Sequence, residues 1–180
     1  MKQADAIHRL YDLSVAGRYV FSTQDLKKIF FESNLRAFEA GLSRLVSHQI
    51  LERVAYGVYL FTLSTERKSA FTIERIAKTL RRGEYSYISL ESALSEYGVI
   101  SQIPLTYLTV MTTGRKGEFF TPYGTIEFVH TKRRGSDILR ATNDVGRPLR
   151  LAKQATALRD LKRVGRNLHL VQPDEVNLNE

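Results

Sequence analysis

STQDLKKIFFESNLRAFEAGLSRLVSHQILERVAYGVYLF, residues 22–61, is the stretch that decides the fold. Ser22 precedes an apolar-periodic run and has Asp25 three residues on, an acidic form of the capping box that opens a helix. Leu26, Ile29 and Phe30 give that helix its buried side. Ser33 or Asn34 caps the next helix, in which Leu35, Phe38, Leu42, Leu45 and Val46 repeat at helical spacing. Its other face carries Arg36, Ala37, Ala40, Ser43, Arg44 and Ser47. The period then falls towards two: Ile50–Val54 and Val58–Phe61 are β-rich runs around Ala55-Tyr56-Gly57, where Gly57 supplies the positive φ of a tight turn.

Working outward, residues 4–16 place Ile7, Leu10, Tyr11 and Val15 on one helical face, with Gly17 as the stop. Val20-Phe21 is a stub of strand. Three short helices followed by a hairpin read as a winged helix-turn-helix over residues 1–62. Small residues at Ala37, Ala40 and Ser43 let the third helix enter a major groove. Arg36 and Arg44 can reach guanine edges or phosphates, and Asn34 can read adenine or hold a phosphate. Thr23, Gln24, Lys27 and Lys28 on the second helix would touch the DNA backbone, and Arg53 and Tyr56 on the wing would meet the adjacent groove. Ser47 completes the reading face. Glu39 opposes phosphate unless it accepts from cytosine, and winged helices also serve as protein-contact modules.

Beyond a boundary near residues 62–70, residues 67–180 read as a mixed α/β domain with a small antiparallel sheet, making the chain α+β. Phe71, Ile73, Ile76, Ala77 and Leu80 predict a helix ending near Arg81-Arg82-Gly83. Ser89 predicts a cap for a short helix with Leu90, Ala93, Leu94 and Tyr97 inward, ended by Gly98. Leu105–Met111, Glu118–Thr121 and Thr125–His130 predict a meander of two or three antiparallel strands, and Leu149–Leu151 a further strand. Residues 152–164 predict a helix with Ala155, Leu158 and Leu161 inward, and residues 173–180 a polar, frayed tail.

The 180 residues carry 27 Lys+Arg against 19 Asp+Glu, a net charge of +8 that points to an anionic partner. The surplus is uneven: residues 131–180 hold 11 basic and 6 acidic residues, whereas residues 1–62 hold 8 and 6. With no cysteine, disulfides, thiolate metal sites and cysteine nucleophiles are excluded. No apolar run reaches the roughly 20 residues of a membrane span, and the N-terminus lacks the apolar core of a secretory signal. The expectation is a soluble, cytoplasmic protein with no membrane partner.

Catalytic patterns are weak, and neither a catalytic residue, a metal site nor a cofactor is expected. Gly114-Arg-Lys-Gly117 is a basic turn without the helix that a phosphate loop needs. Glu127 and His130, three apart on a strand, point to opposite faces. Glu66-Arg67-Lys68 has the E-x-K form of nucleases without an acidic partner before it. Gly135-Ser136-Asp137 lacks the paired carboxylates of a nucleotidyltransferase, and Asp144-Val145-Gly146 does not supply them. An enzyme is not expected.

The segments Leu51–Tyr59, Tyr87–Gly98 and Ala157–Asn167 together resemble the AbiEi-type antitoxins of type IV toxin–antitoxin (abortive infection) systems, over about residues 5–175. The resemblance implies a winged helix that binds inverted repeats in its own promoter and represses it (autoregulation), with a homodimer on DNA. It also implies a C-terminal domain that counteracts a nucleotidyltransferase-type toxin or its target. The DNA-reading elements it carries over are Asn34, Arg36, Ala37, Ser43 and Arg44 on the third helix, and Arg53 and Tyr56 on the wing. A stand-alone regulator of a mobile element, with a C-terminal dimerisation or sensing domain, is the alternative. The dense late basic region, Lys132, Arg133, Arg134, Arg159, Lys162, Arg163 and Arg166, is a candidate antitoxin or second nucleic-acid surface.

Overall fold

The structure, a computed structural model, describes residues 2–31, 34–101, 104 and 106–171. The chain divides into two units, Met1–Leu80 and Arg81–Glu180. Among the described residues it is an α+β protein of seven α-helices and nine strands.

The first unit contains α1 (Gln3–Val15), β1 (Val20–Ser22), α2 (Thr23–Phe30), α3 (Leu35–Ser47), β2 (Leu51–Ala55), β3 (Val58–Phe61), a 3-10 turn (Thr65–Lys68) and α4 (Thr72–Leu80). The capping box forms: the Asp25 amide donates to Ser22 Oγ at 3.1 Å, and the Ser22 amide to Asp25 Oδ2 at 2.9 Å. Of the two candidate caps for α3, Asn34 fills the role, its Oδ1 accepting from the Ala37 amide at 3.2 Å; Ser33 lies outside the described residues. The antiparallel sheet runs β1-β3-β2, with every residue of the central strand β3 buried. Leu10, Tyr19, Phe21, Leu26, Phe38, Leu45, Leu60 and Phe61 form the core.

Two expectations fail here. Helix α1 buries Ala6, Leu10 and Ser14, leaving Tyr11 and Val15 at 55% and 75% exposure. The buried stripe is one residue-row away from the larger side chains, because Ala6 and Ser14 are small enough for close approach. Leu35, expected on the core stripe, is 53% exposed in the first turn of α3. Helix α4 buries Ile73, Ile76 and Ala77 and packs on β1 and β3, with the hydroxyls of Tyr19 and Thr72 bonded at 3.0 Å.

The second unit contains β4 (Ser86–Ile88), α5 (Leu90–Glu96), β5 (Tyr107–Thr112), β6 (Gly117–Thr121), β7 (Gly124–His130), α6 (Gly135–Ala141), β8 (Thr142–Asn143), β9 (Arg150–Ala152) and α7 (Gln154–Val164). A 3-10 turn at Leu168–Leu170 follows. The meander expected over Leu105–His130 is not formed. Only β6 and β7 make an antiparallel hairpin; β5 lies parallel to β7, from Tyr107 opposite Thr125 to Thr112 opposite His130. The sheet has six strands in the order β6-β7-β5-β4-β9-β8, mixed in direction, and so is neither small nor antiparallel. Strand β5 is buried over Leu108–Thr112, the apolar run that a strand flanked on both sides requires. Helix α5 packs against β5 and α7. Ser89 does not cap α5: its hydroxyl donates instead to Asp160 Oδ2 at 2.9 Å. Residues 173–180 lie outside the described residues.

Candidate nucleic-acid interface

Helix α3 separates two chemistries. Phe38, Gly41, Leu42 and Leu45 are buried, while Arg36, Ala37, Glu39, Ala40, Ser43, Arg44 and Ser47 are exposed or half-buried. Asn34, also exposed, is held by its cap, where its Oδ1 accepts from the Ala37 amide. Arg36 and Arg44 lie eight residues apart, about 12 Å along the axis, and neither guanidinium bonds to another described residue. Ser47 turns its hydroxyl back on the Arg44 carbonyl at 3.0 Å. Lys2, absent from the sequence-based candidates, shares a hollow with Gln3, Gly41, Arg44 and Leu45. Its place beside α3 depends on how α1 packs, so helical periodicity alone could not reveal it.

On α2, Gln24, Lys27 and Lys28 are exposed, and the Lys27 ammonium lies 5.8 Å from the Phe38 ring centroid. Thr23 ties α2 to the β2–β3 turn: its amide and hydroxyl both donate to the Gly57 carbonyl, at 2.9 and 3.3 Å. That turn, with Gly57 at φ +70°, presents Tyr56 at 87% exposure. The Arg53 guanidinium sits 5.4 Å from the Tyr56 ring centroid, which holds the pair together at the tip.

The late basic region is only partly available. Arg133 turns inward: its Nη1 donates to the Tyr87 hydroxyl at 2.6 Å and to the fully buried Asp160. Burial opposes the Arg133 charge, but Asp160 and Tyr87 together raise its pKa above the ordinary arginine value. Burial first, then the Asp160 charge, push the Tyr87 phenol up to about 12. Arg166 is gripped by two carboxylates, donating to Glu91 at 2.9 and 3.1 Å and to Glu127 at 2.5 and 2.6 Å. Asn167 adds a bond to Glu91 at 2.8 Å, and the Tyr107 hydroxyl one to Glu127 at 3.1 Å. The bonds to Glu127 raise the Arg166 pKa further, against burial, with Glu91 assisting. Arg133 and Arg166 therefore leave the candidate surface. Lys132, Arg134, Arg159, Lys162 and Arg163 are not buried and remain on it. Arg159 leans back on Ala155 O and Thr156 Oγ1, and Arg163 lies 4.0 Å from Asp160.

Two of the segments that carry the AbiEi resemblance meet through these contacts. Tyr87 and Ser89 join Asp160, and Glu91 joins Arg166 and Asn167. Their residue choices are explained by folding of the second unit. Glu127 and His130 have separate partners, Arg166 and the Gly114 carbonyl. Glu66-Arg67-Lys68 falls in the 3-10 turn. Among the described residues no three His, Asp or Glu side chains converge to hold a metal, and no helix is long and apolar enough to cross a membrane.

No family model matches this chain. A search of curated proteins also finds no match. Among solved structures, the chain is similar to the RV2827C protein from Mycobacterium tuberculosis, with a TM-score of 0.56 at 14% identity. The similarity covers 85% of this chain and 58% of that one, so this chain spans little more than half of that protein's length. At this identity the likeness is one of fold.

Proposed function

We propose that residues 1–80 form a winged helix-turn-helix that binds duplex DNA, with α3 in the major groove and the β2–β3 hairpin as the wing. One observation carries this reading: the outer face of α3 combines small side chains at Ala37, Ala40 and Ser43 with two exposed guanidiniums, at Arg36 and Arg44, that bond to no other described residue. Small residues let the helix axis come close to base edges, and arginine is the commonest side chain for guanine. Gln24 and Lys28 flank the helix as phosphate contacts, and Arg53 with Tyr56 supplies the wing. Following the AbiEi resemblance, the chain is further read as repressor of its own promoter and antitoxin of a type IV pair. A nucleotidyltransferase-type toxin or its target is then the counterpart of the second unit.

Fluorescence anisotropy with the duplex upstream of the protein's own reading frame tests the DNA reading. Arg36→Ala or Arg44→Ala should weaken binding by about 1–3 kcal/mol and relax preference at one operator position. Unchanged affinity in both variants would refute it. Co-expression tests the antitoxin reading: the Arg36→Ala/Arg44→Ala protein, made from a foreign promoter, should still rescue growth from the toxin while failing to repress. Failure of the wild-type chain to rescue would refute the antitoxin reading and leave the DNA reading standing.

A further inference from the structure

We propose that the second unit carries a binding site for single-stranded nucleic acid at the carboxyl end of β5 and β7, with Arg115, Lys116 and His130 on the phosphates and Tyr85 stacking on a base. Because β5 and β7 are parallel, both chains leave the sheet at the same end, with Thr112 opposite His130. Strand β4, antiparallel to β5, enters there with Ser86 opposite Thr112. Three connections therefore converge on one rim, the position where open α/β sheets place ligands.

The rim is held in place before any ligand arrives. The Thr113 amide donates to Tyr85 O at 3.0 Å, and the Tyr85 amide to Thr113 Oγ1 at 3.1 Å. The His130 ring nitrogen Nδ1 lies 2.9 Å from the Gly114 carbonyl, and Arg81 Nε donates to the Arg115 carbonyl at 2.9 Å. Gly114 keeps this spot uncrowded: an added Cβ would sit 3.0 Å from Glu84 Cγ and 3.1 Å from Arg81 Cδ, and both side chains would have to give by a few tenths of an ångström. The result is an open hollow lined by Glu84, Thr113, Gly114, Arg115, Lys116 and His130.

Its chemistry is that of an anion site. Arg115, Lys116 and His130 are exposed, and Lys132 and Arg134 follow His130 on the same connection. The one acid of the lining, Glu84, already accepts from Thr113 Oγ1 at 2.6 Å. Behind the loop, the Arg81 guanidinium stacks on Phe128 and Phe119 at 4.1 and 4.9 Å from the ring centroids. Burial and then the charge of Arg115 lower the Arg81 pKa, with Glu84 acting in the opposite direction. Tyr85, backbone-paired to Thr113, is 51% exposed, and its ring lies so close to Gly135 that an added Cβ would sit 2.5 Å from it. An exposed ring on a connection that is backbone-paired to a cationic loop is the combination that binds single strands through stacking and backbone charge. A duplex keeps its bases stacked on one another and has no face to offer Tyr85.

The test uses the full chain and a labelled 15-nucleotide single strand of uridylate, with a deoxythymidylate strand and a random duplex as parallel arms. The expected result is binding to a single strand, weakened roughly 5- to 150-fold by Tyr85→Ala. Arg115→Ala/Lys116→Ala should reduce the log–log salt slope by about 0.7 for each phosphate interaction removed. Operator-duplex affinity should be unchanged by these variants, and single-strand affinity unchanged by Arg36→Ala/Arg44→Ala, which separates this site from the α3 surface. Equal affinity of the wild type and the Arg115/Lys116 variant, at equal urea midpoints, would overturn the proposal. So would binding only to the duplex. Preference between the two single strands tells RNA from DNA.

Discussion

Asp160→Ala is the substitution with the largest consequence that the structure specifies. The carboxylate is completely buried and accepts from three donors: Tyr87 Oη at 3.1 Å, Ser89 Oγ at 2.9 Å and Arg133 Nη1. Tyr87 and Ser89 are themselves fully buried, so their hydroxyls lose this acceptor away from bulk solvent. A buried hydroxyl left unmatched costs about 1–3 kcal/mol, and removing one partner of a buried ion pair about 3–5 kcal/mol. These do not add in full, because Arg133 still donates to Tyr87 at 2.6 Å and is 22% exposed, so part of its charge can be hydrated. The expected loss is about 3–5 kcal/mol, enough to lower a urea midpoint by roughly 2–3 M at the slope of a small unit. Far-ultraviolet circular dichroism is the readout, since the chain has no tryptophan. Asp160→Asn should cost less, and Arg133→Met should cost less in the Asp160→Asn background than in the wild type, giving a coupling of at least about 1 kcal/mol. A midpoint for Asp160→Ala close to wild type, or strictly additive losses in the cycle, would refute the reasoning.

The Tyr87 phenol, raised from 10.0 to about 12, must bind its proton more tightly folded than unfolded. Its contribution to stability is complete below pH 10 and lost by pH 12, on the order of 2 kcal/mol; denaturation midpoints should fall across that window and fall less in Tyr87→Phe. At the other end, burial alone would raise the Glu127 pKa, but the hydrogen bonds and charge of Arg166 hold it below the ordinary value. That stabilisation is present at neutral pH and lost as pH falls through the lowered value, so Arg166→Met should flatten the acid limb of a stability–pH profile.

Legibility from the sequence differs between the two units. Contacts local along the chain are readable: the Ser22–Asp25 box, the Asn34 cap and the polar face of α3 all follow from spacing. The same periodicity misplaces Leu35, Tyr11 and Val15, because it ranks side chains by hydrophobicity and takes no account of which helix face a neighbour can approach. In the second unit the decisive pairings are long-range. The parallel register of β5 and β7 is invisible in a run of three β-rich segments, since β5 and β6 carry no mark against pairing with each other. Strand β4 and helix α6 are too short to announce themselves. Arg133 and Arg166 read as surface charge because their carboxylate partners stand 27 and up to 75 residues away. The excess of basic over acidic residues in the late segment is plain from the sequence; which of them face outward is a matter of tertiary structure.

The claim on which the functional account rests is that the outer face of α3 lies against duplex bases. Replacing Ser47, exposed at the end of that face, with a photo-crosslinking p-benzoylphenylalanine, and irradiating the full chain with its own upstream duplex, measures this contact directly. The account expects a covalent protein–DNA adduct mapping to a fixed position in each bound site, suppressed by Arg36→Ala/Arg44→Ala. Crosslinks to protein alone, or adducts scattered evenly along the duplex, would contradict it.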